Sequence, residues 1–294
     1  MSKSFHSLGL MSGTSMDGVD ASIIQSDGET KYKIIIDKYF KYPQGIYKDL
    51  TKLRDKIKSS KDLKNFSKEI KNVEKEITLF HAKAISQILK KTKVKVDFVG
   101  FHGQTIYHNA KEKISKQLGD GKFLSKLTKK TVVYNFRQND LKNGGQGAPL
   151  TPIFHKMLAK KLNLKNVTFI NIGGIINATT ICDDGHFEAQ DLGPGMCLID
   201  KWIRINSKKK YDDKGKIART GKINKKILNK AKKNFIILNN KYVYKNAFEP
   251  SYDIRDFEDS FNILHTKFLK SLSLKDGAAT LTEFTVQILD ETLQ

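Results

Sequence analysis

Cysteine is almost missing from this 294-residue chain, which has only Cys182 and Cys197. Two such residues build no disulfide framework and match no metal-ligand spacing, which fits a reducing compartment. Both read as small buried hydrophobes. Proline is sparse as well, at five residues, and no low-complexity linker breaks the chain. No apolar run approaches bilayer length, and the N-terminus MSKSFHSLGLMSGTS lacks a long hydrophobic stretch with a cleavage site. The sequence therefore reads as cytoplasmic, with no membrane partner.

Acidic residues are outnumbered, 31 against 53 basic, which leaves a net charge of +22. A concentrated basic surface gains affinity from phosphate contacts and counterion release. Arginine, however, is scarce: Arg54, Arg137, Arg204, Arg219 and Arg255 are the only five among the 53. Readers of base edges and bidentate phosphate binders favour arginine. The lysines are mixed with Glu and Asp in stretches such as KDLKNFSKEIKNVEKEI, which reads as a solvated face. A nucleic-acid-binding protein is the disfavoured reading.

What is present is the material of a packed α/β protein: 39 % apolar residues and 20 glycines, enough for one large domain or two lobes. FHSLGLMS and VDASIIQS read as strands joined by a turn, and KYKIIIDKYF adds a third. From Gly45 to Lys91 apolar residues recur at helical spacing, as in Ile70, Val73, Ile77, Phe80 and Ala84. VKVDFVGFHGQTIYH then reads as a strand running into His102, Gly103, Gln104 and Thr105, and TVVYNFRQND as one running into Arg137 and Asp140. Ligands in open α/β sheets bind beyond strand ends, so these polar groups are site candidates, although ordinary loops are polar too. GGQGAP precedes a predicted helix, LTPIFHKMLAKKLN, and NVTFINIGGIINATTI repeats the opening strand, glycine turn and strand. From GPGMCLIDKWIRIN onward the chain reads mostly as helices. Two lobes of similar plan follow, residues 1–137 and 138–294.

The chemistry is carried first by the opening turn, MSGTSMDGVD. It lacks the Gly-Lys-Ser/Thr of a Walker loop. It offers instead backbone N–H groups around Gly13 and Gly18, hydroxyls of Ser12, Thr14 and Ser15, and the carboxylates of Asp17 and Asp20. Glycines let the backbone approach an anion, hydroxyls donate to phosphate oxygens, and a carboxylate holds magnesium directly or through water. Taken alone, such a turn is most often just a hairpin. A second candidate is Asp191 in AQDLGPGMCLIDKW, which reads equally as a general base beside a glycine-rich helix start or as the cap of that helix.

Eight segments then line up in order: GLMSGTSMDGVDASI, GFHGQTIYH, QLGDG, NFRQNDLKNGGQGAPLTPIFH, NIGGIINAT, DLGPGMCLIDKW, YDDKGKIARTG and DGAATLTEFT. Together they resemble the motifs of the anhydro-N-acetylmuramic acid kinase family, of the sugar kinase, hexokinase, Hsp70 and actin superfamily. The resemblance implies an α/β protein of two RNase H-like lobes with a cleft between them. It implies an ATP-dependent phosphotransferase that hydrolyses and phosphorylates 1,6-anhydro-N-acetylmuramic acid to N-acetylmuramic acid 6-phosphate in peptidoglycan recycling. On that basis Asp191 is the general base, and Gly13, Thr14, Ser15, Met16, Asp17, Gly18, Val19 and Asp20 form the ATP-binding segment. His102, Gln104, Thr105 and Arg137 line the sugar, with Arg137 facing the lactyl carboxylate. The implied cofactors are ATP and Mg2+, with no residue singled out as a metal ligand, and a homodimer is an open expectation.

The family pattern continues for several dozen residues past Gln294, into a strand and a Gly-Gly-Gly turn that help bind nucleotide, so the chain reads as truncated. The second lobe is expected to lack that segment. An inactive sugar-binding remnant is therefore the alternative expectation. Asn135, Lys142-Asn143 and Pro250 also depart from the pattern.

Overall fold

The computed structural model describes residues 3–246, Tyr252, Phe257 and residues 272–293. Its residues gather into two compact units. The first runs to Leu150 and takes in Lys160–Asn163, and the second holds Thr151–Ala159 and the chain from Leu164. The division thus falls at 150 rather than 137. Arg137 and Asp140 stay with the first unit because they bond to His102 and to the glycine loop ending at Gly147.

In the first unit, β1 (Phe5–Ser12) alternates buried Leu8, Leu10 and Ser12 with exposed Gly9 and Met11, the period of a strand with one covered face. β2 (Gly18–Ser26) and β3 (Tyr32–Lys41) continue as an antiparallel meander, with Met11 opposite Asp20 and Ile23 opposite Ile36. Three helices follow: α1 (Gln44–Lys56), α2 (Ser60–Asn65) and α3 (Ser67–Leu89). Along α3 the residues Ile70, Val73, Ile77, His81, Ala84, Ile85 and Ile88 form one buried stripe, which joins Leu8, Val19, Ile23 and Phe101 in a single core. β4 (Phe98–Asn109) lies parallel to β1, and after α4 (Gly121–Thr128) β6 (Thr131–Tyr134) lies parallel to β4. The order β3-β2-β1-β4-β6, with these directions, is that expected of an RNase H-like lobe.

β4 does not end where the sequence suggests. His102, Gly103, Gln104 and Thr105 lie inside it, because β5 (Ile114–Leu118) folds back and pairs antiparallel with its second half. Gly103 makes the bend between the two halves: its φ is +75°, and a Cβ there would stand 2.5 Å from the Leu118 carbonyl oxygen. Arg137 and Asp140 do lie past the end of β6, on the short helix α5 (Phe136–Lys142). Asn135, one of the departures from the family pattern, precedes that helix at φ 64°, a left-handed conformation that Asn tolerates.

In the second unit, α6 (Pro152–Lys161) precedes an antiparallel sheet of β7 (Val167–Ile172), β8 (Ile175–Ile181) and β9 (Phe187–Pro194). Helices α7 (Cys197–Asn206), α8 (Lys225–Asn246) and α9 (Leu274–Leu293) follow. Their core joins Leu198, Trp202, Ile203, Leu228, Phe235, Phe284 and Ile288. The Trp202 indole N–H donates to the Leu274 carbonyl at 2.9 Å, which satisfies the one polar atom of that buried ring. Cys197 is buried as expected, but Cys182 is exposed, because it falls in the turn between β8 and β9. Pro250 lies outside the described residues. Among the described residues no helix is long and apolar enough to cross a membrane.

Candidate active site

The opening turn closes between β1 and β2, where the Met16 N–H donates to the Gly13 carbonyl at 3.2 Å. The side chains of Met16 and Val19 belong to the core, so these residues offer a ligand their backbone alone. Thr14, Ser15, Asp17 and Asp20 are exposed. The Ser15 hydroxyl donates to the Asp17 carboxylate, and the Asp17 carbonyl accepts the Tyr42 N–H at 2.8 Å. Gly18 is needed for close approach, since a Cβ would stand 2.5 Å from the Phe40 carbonyl oxygen. Partial burial, and then the charge of Asp17, raises the pKa of Asp20. Two neighbouring carboxylates and two hydroxyls around a glycine turn suit a phosphate accompanied by a divalent cation.

Ser12 is not part of that donor set. It is buried, and its Oγ lies 2.9 Å from the Tyr42 hydroxyl and 3.3 Å from His81 Nε2. The His81 Nδ1 stands 2.8 Å from the Ile77 carbonyl, an acceptor, so Nδ1 carries the proton. Burial pushes the His81 pKa down to about 4, leaving Nε2 a lone-pair acceptor near neutrality. The direction of the chain follows. Tyr42 donates to Ser12, Ser12 donates to His81, and His81 donates to Ile77. Burial likewise raises the Tyr42 phenol, which stays protonated. This chain anchors the end of β1, immediately before the turn, to α3 and to the start of α1.

The second half of the arrangement hangs from β4. Gln104 is wholly buried and donates its Nε2 amide to the Gly13 carbonyl at 2.9 Å, so β4 holds the base of the opening turn. His102 donates from Nδ1 to the Gly103 carbonyl at 2.8 Å and accepts the Arg137 Nε–H at Nε2, at 2.9 Å. Burial, and then the Arg137 charge, lowers the His102 pKa to about 4, consistent with a neutral acceptor. Arg137 also donates from Nη1 to the Gly147 carbonyl at 2.6 Å. The glycine loop is itself fixed, with the Gly147 N–H on Asp140 Oδ2 at 2.7 Å and the Gly145 N–H on the Asp140 carbonyl at 2.9 Å. Thr105 Oγ1 accepts from Gln117 Nε2 at 3.2 Å, within a polar cluster that includes Ser115 and His108. Asp20 and His102 both line a groove of about 640 Å3, together with Gly9, Ser22, Tyr39 and Phe136.

In the second unit Asp191 stands in β9, opposite Asn177, and is half-buried. Its Oδ2 accepts the N–H of Tyr252 at 2.8 Å. It does not cap α7, which begins at Cys197 with no side-chain cap. The N–H groups of Gly195, Met196 and Cys197 donate instead to the carbonyls of Gly173 and Gly174. Gly195 leaves no room for a side chain, since a Cβ would stand 2.2 Å from the Gly173 oxygen.

A sequence model of anhydro-N-acetylmuramic acid kinases matches residues 5–294. The chain belongs to that family. The anhydro-N-acetylmuramic acid kinase of Pelagibacter ubique is 51 % identical over 296 residues, covering all of this chain and 76 % of that protein. The kinase of the same name from Agrobacterium fabrum is 38 % identical over 222 residues, covering 74 % of this chain and 60 % of that protein. The solved structure of the ethanolamine utilization protein EutJ from Carboxydothermus hydrogenoformans aligns with 95 % of this chain and 90 % of its own. Its TM-score is only 0.32, at 10 % identity, so the likeness carries no argument.

The parts of this candidate site that the sequence left unread are the Ser12, Tyr42 and His81 chain and the Asp140 support of Gly147. His81 did carry a signal: it falls on the inward stripe of α3, where a polar side chain needs a partner.

Proposed function

We propose that this chain catalyses the ATP-dependent hydrolysis and phosphorylation of 1,6-anhydro-N-acetylmuramic acid to N-acetylmuramic acid 6-phosphate in peptidoglycan recycling. The family match over residues 5–294 carries the reading, since it includes every segment that bears a candidate residue. Asp191 removes a proton from the water that adds to the anomeric carbon. The bond from that carbon to O6 breaks, and the freed O6 attacks the γ-phosphorus as its bond to ADP breaks. The protein's work in the second step is positioning and charge stabilisation. The backbone from Gly13 to Asp20, with the Thr14 and Ser15 hydroxyls, receives the phosphates. Magnesium, when bound, neutralises charge on those phosphates, and Asp17 and Asp20 are the carboxylates that would hold it, directly or through water.

On the sugar side, Arg137 receives the lactyl carboxylate, a pairing that suits the guanidinium fork. Gln104, wholly buried, contributes by holding the Gly13 carbonyl, and Thr105 is the further sugar-side residue. The substrate is a small anhydro amino sugar, and the reading includes neither nucleic acid nor membrane as a partner. The scarcity of arginine supports the first of these. A cytoplasmic setting and a homodimer complete the proposal, and sedimentation of the purified protein tests the dimer. The activity is tested by ADP release with magnesium: release that requires the anhydrosugar supports it, and release independent of sugar refutes it.

A further inference from the structure

Both ring nitrogens of His102 are occupied by protein, one donating to Gly103 and the other accepting from Arg137. A histidine so engaged has no nitrogen left for a sugar hydroxyl unless Arg137 moves away. We propose that His102 is a positioning residue, which sets the guanidinium of Arg137 and so the preference for a sugar that carries a carboxylate. This rests on the kinase reading above.

Three observations support the role. The imidazole is itself fixed: His102 is 8 % exposed, and the Gly103 carbonyl selects the tautomer with its lone pair on Nε2. The second acceptor, the Gly147 carbonyl, is fixed just as firmly, because Asp140 holds the Gly147 N–H and Gly147 has φ +72°. Pre-orientation lowers the entropy cost of a bidentate pair and adds geometric selectivity. The Gly103 bend places His102 in the lining of the groove that Asp20 also lines and sends Gln104 to Gly13, so one strand serves both the sugar arm and the phosphate turn.

The test uses the full chain with two sugars, 1,6-anhydro-N-acetylmuramic acid and 1,6-anhydro-N-acetylglucosamine, which lacks the lactyl group. Steady-state constants are measured for the wild type, for His102→Phe, which removes the acceptor, and for His102→Gln, whose amide oxygen restores one. Loss of a hydrogen bond to a charged group predicts that His102→Phe raises KM for the carboxylate sugar about ten- to a hundredfold. The rise in KM for the lactyl-free sugar should be smaller, so that the ratio of the two KM values shifts against the carboxylate sugar. His102→Gln should recover most of the affinity. Equal loss for both sugars, or no loss in His102→Phe, overturns the inference. If His102→Phe does not fold, His102→Gln decides: near-wild-type selectivity supports the role, and a tenfold rise in KM for either sugar overturns it. Failure of the wild type to turn over either sugar overturns the kinase reading itself, and this inference with it.

Discussion

Arg137 donates its Nε–H to the buried Nε2 of His102 at 2.9 Å, across 35 positions of sequence. The bond exists only while the imidazole is neutral, since a protonated ring has no lone pair to offer. One side chain of β4 therefore makes the position of the arginine conditional on a protonation state.

The first prediction concerns pH and stability. Burial holds His81 and His102 at a pKa of about 4, below the ordinary value of 6.5. The unfolded chain therefore binds more protons than the folded one between those values, and stability falls as pH drops from 6.5 toward 4. Each histidine contributes roughly 3 kcal/mol across that window at most. Urea unfolding at pH 7 and pH 5 should show the loss, and His81→Gln should flatten the slope. A stability that rises on acidification would contradict the assignment.

Removing the hydroxyl of Ser12 tests the buried chain. Ser12→Ala leaves the Tyr42 hydroxyl and His81 Nε2 without their partner, and an unsatisfied buried group costs about 1–3 kcal/mol. The double variant Ser12→Ala, Tyr42→Phe should cost less than the sum of the single ones, because it leaves one orphan instead of two. Chemical denaturation of the three variants measures this directly, and strict additivity would break the chain into independent contacts.

Gly195→Ala should be disruptive although the added group is one methyl. Its Cβ would stand 2.2 Å from the backbone oxygen of Gly173, which cannot swing aside as a side chain can. The expected cost is about 1–3 kcal/mol, the usual range for overpacking. It should appear as weakened amide protection at Gly195, Met196 and Cys197, whose N–H groups donate to Gly173 and Gly174. Unchanged stability and protection would show that the glycine turn moves freely.

Much of this was legible from local pattern. The opening hairpin, the helical stripe of α3 and the hairpin around Gly173-Gly174 each rest on periodicity and turn residues a few positions apart. What escaped depends on residues remote in sequence. β4 continues through His102–Thr105 because β5 returns to pair with it, and nothing within the segment signals that partner. Ser12 looked like a phosphate donor from its neighbours, yet Tyr42 and His81, 30 and 69 positions away, claim its hydroxyl. Asp191 was recognisable as a candidate base, whereas its place within a strand required the pairing of β8 with β9.

The most direct measurement is the turnover of Asp191→Asn. Asparagine keeps an oxygen for the Tyr252 N–H but carries no charge and cannot take a proton. Calorimetry should find anhydrosugar and ATP bound with wild-type affinity. Sugar-dependent ADP release should fall by about 10²–10⁴-fold, the usual contribution of a general base. Turnover within a few-fold of the wild type, with binding intact, would contradict the assignment of Asp191 and the mechanism built on it.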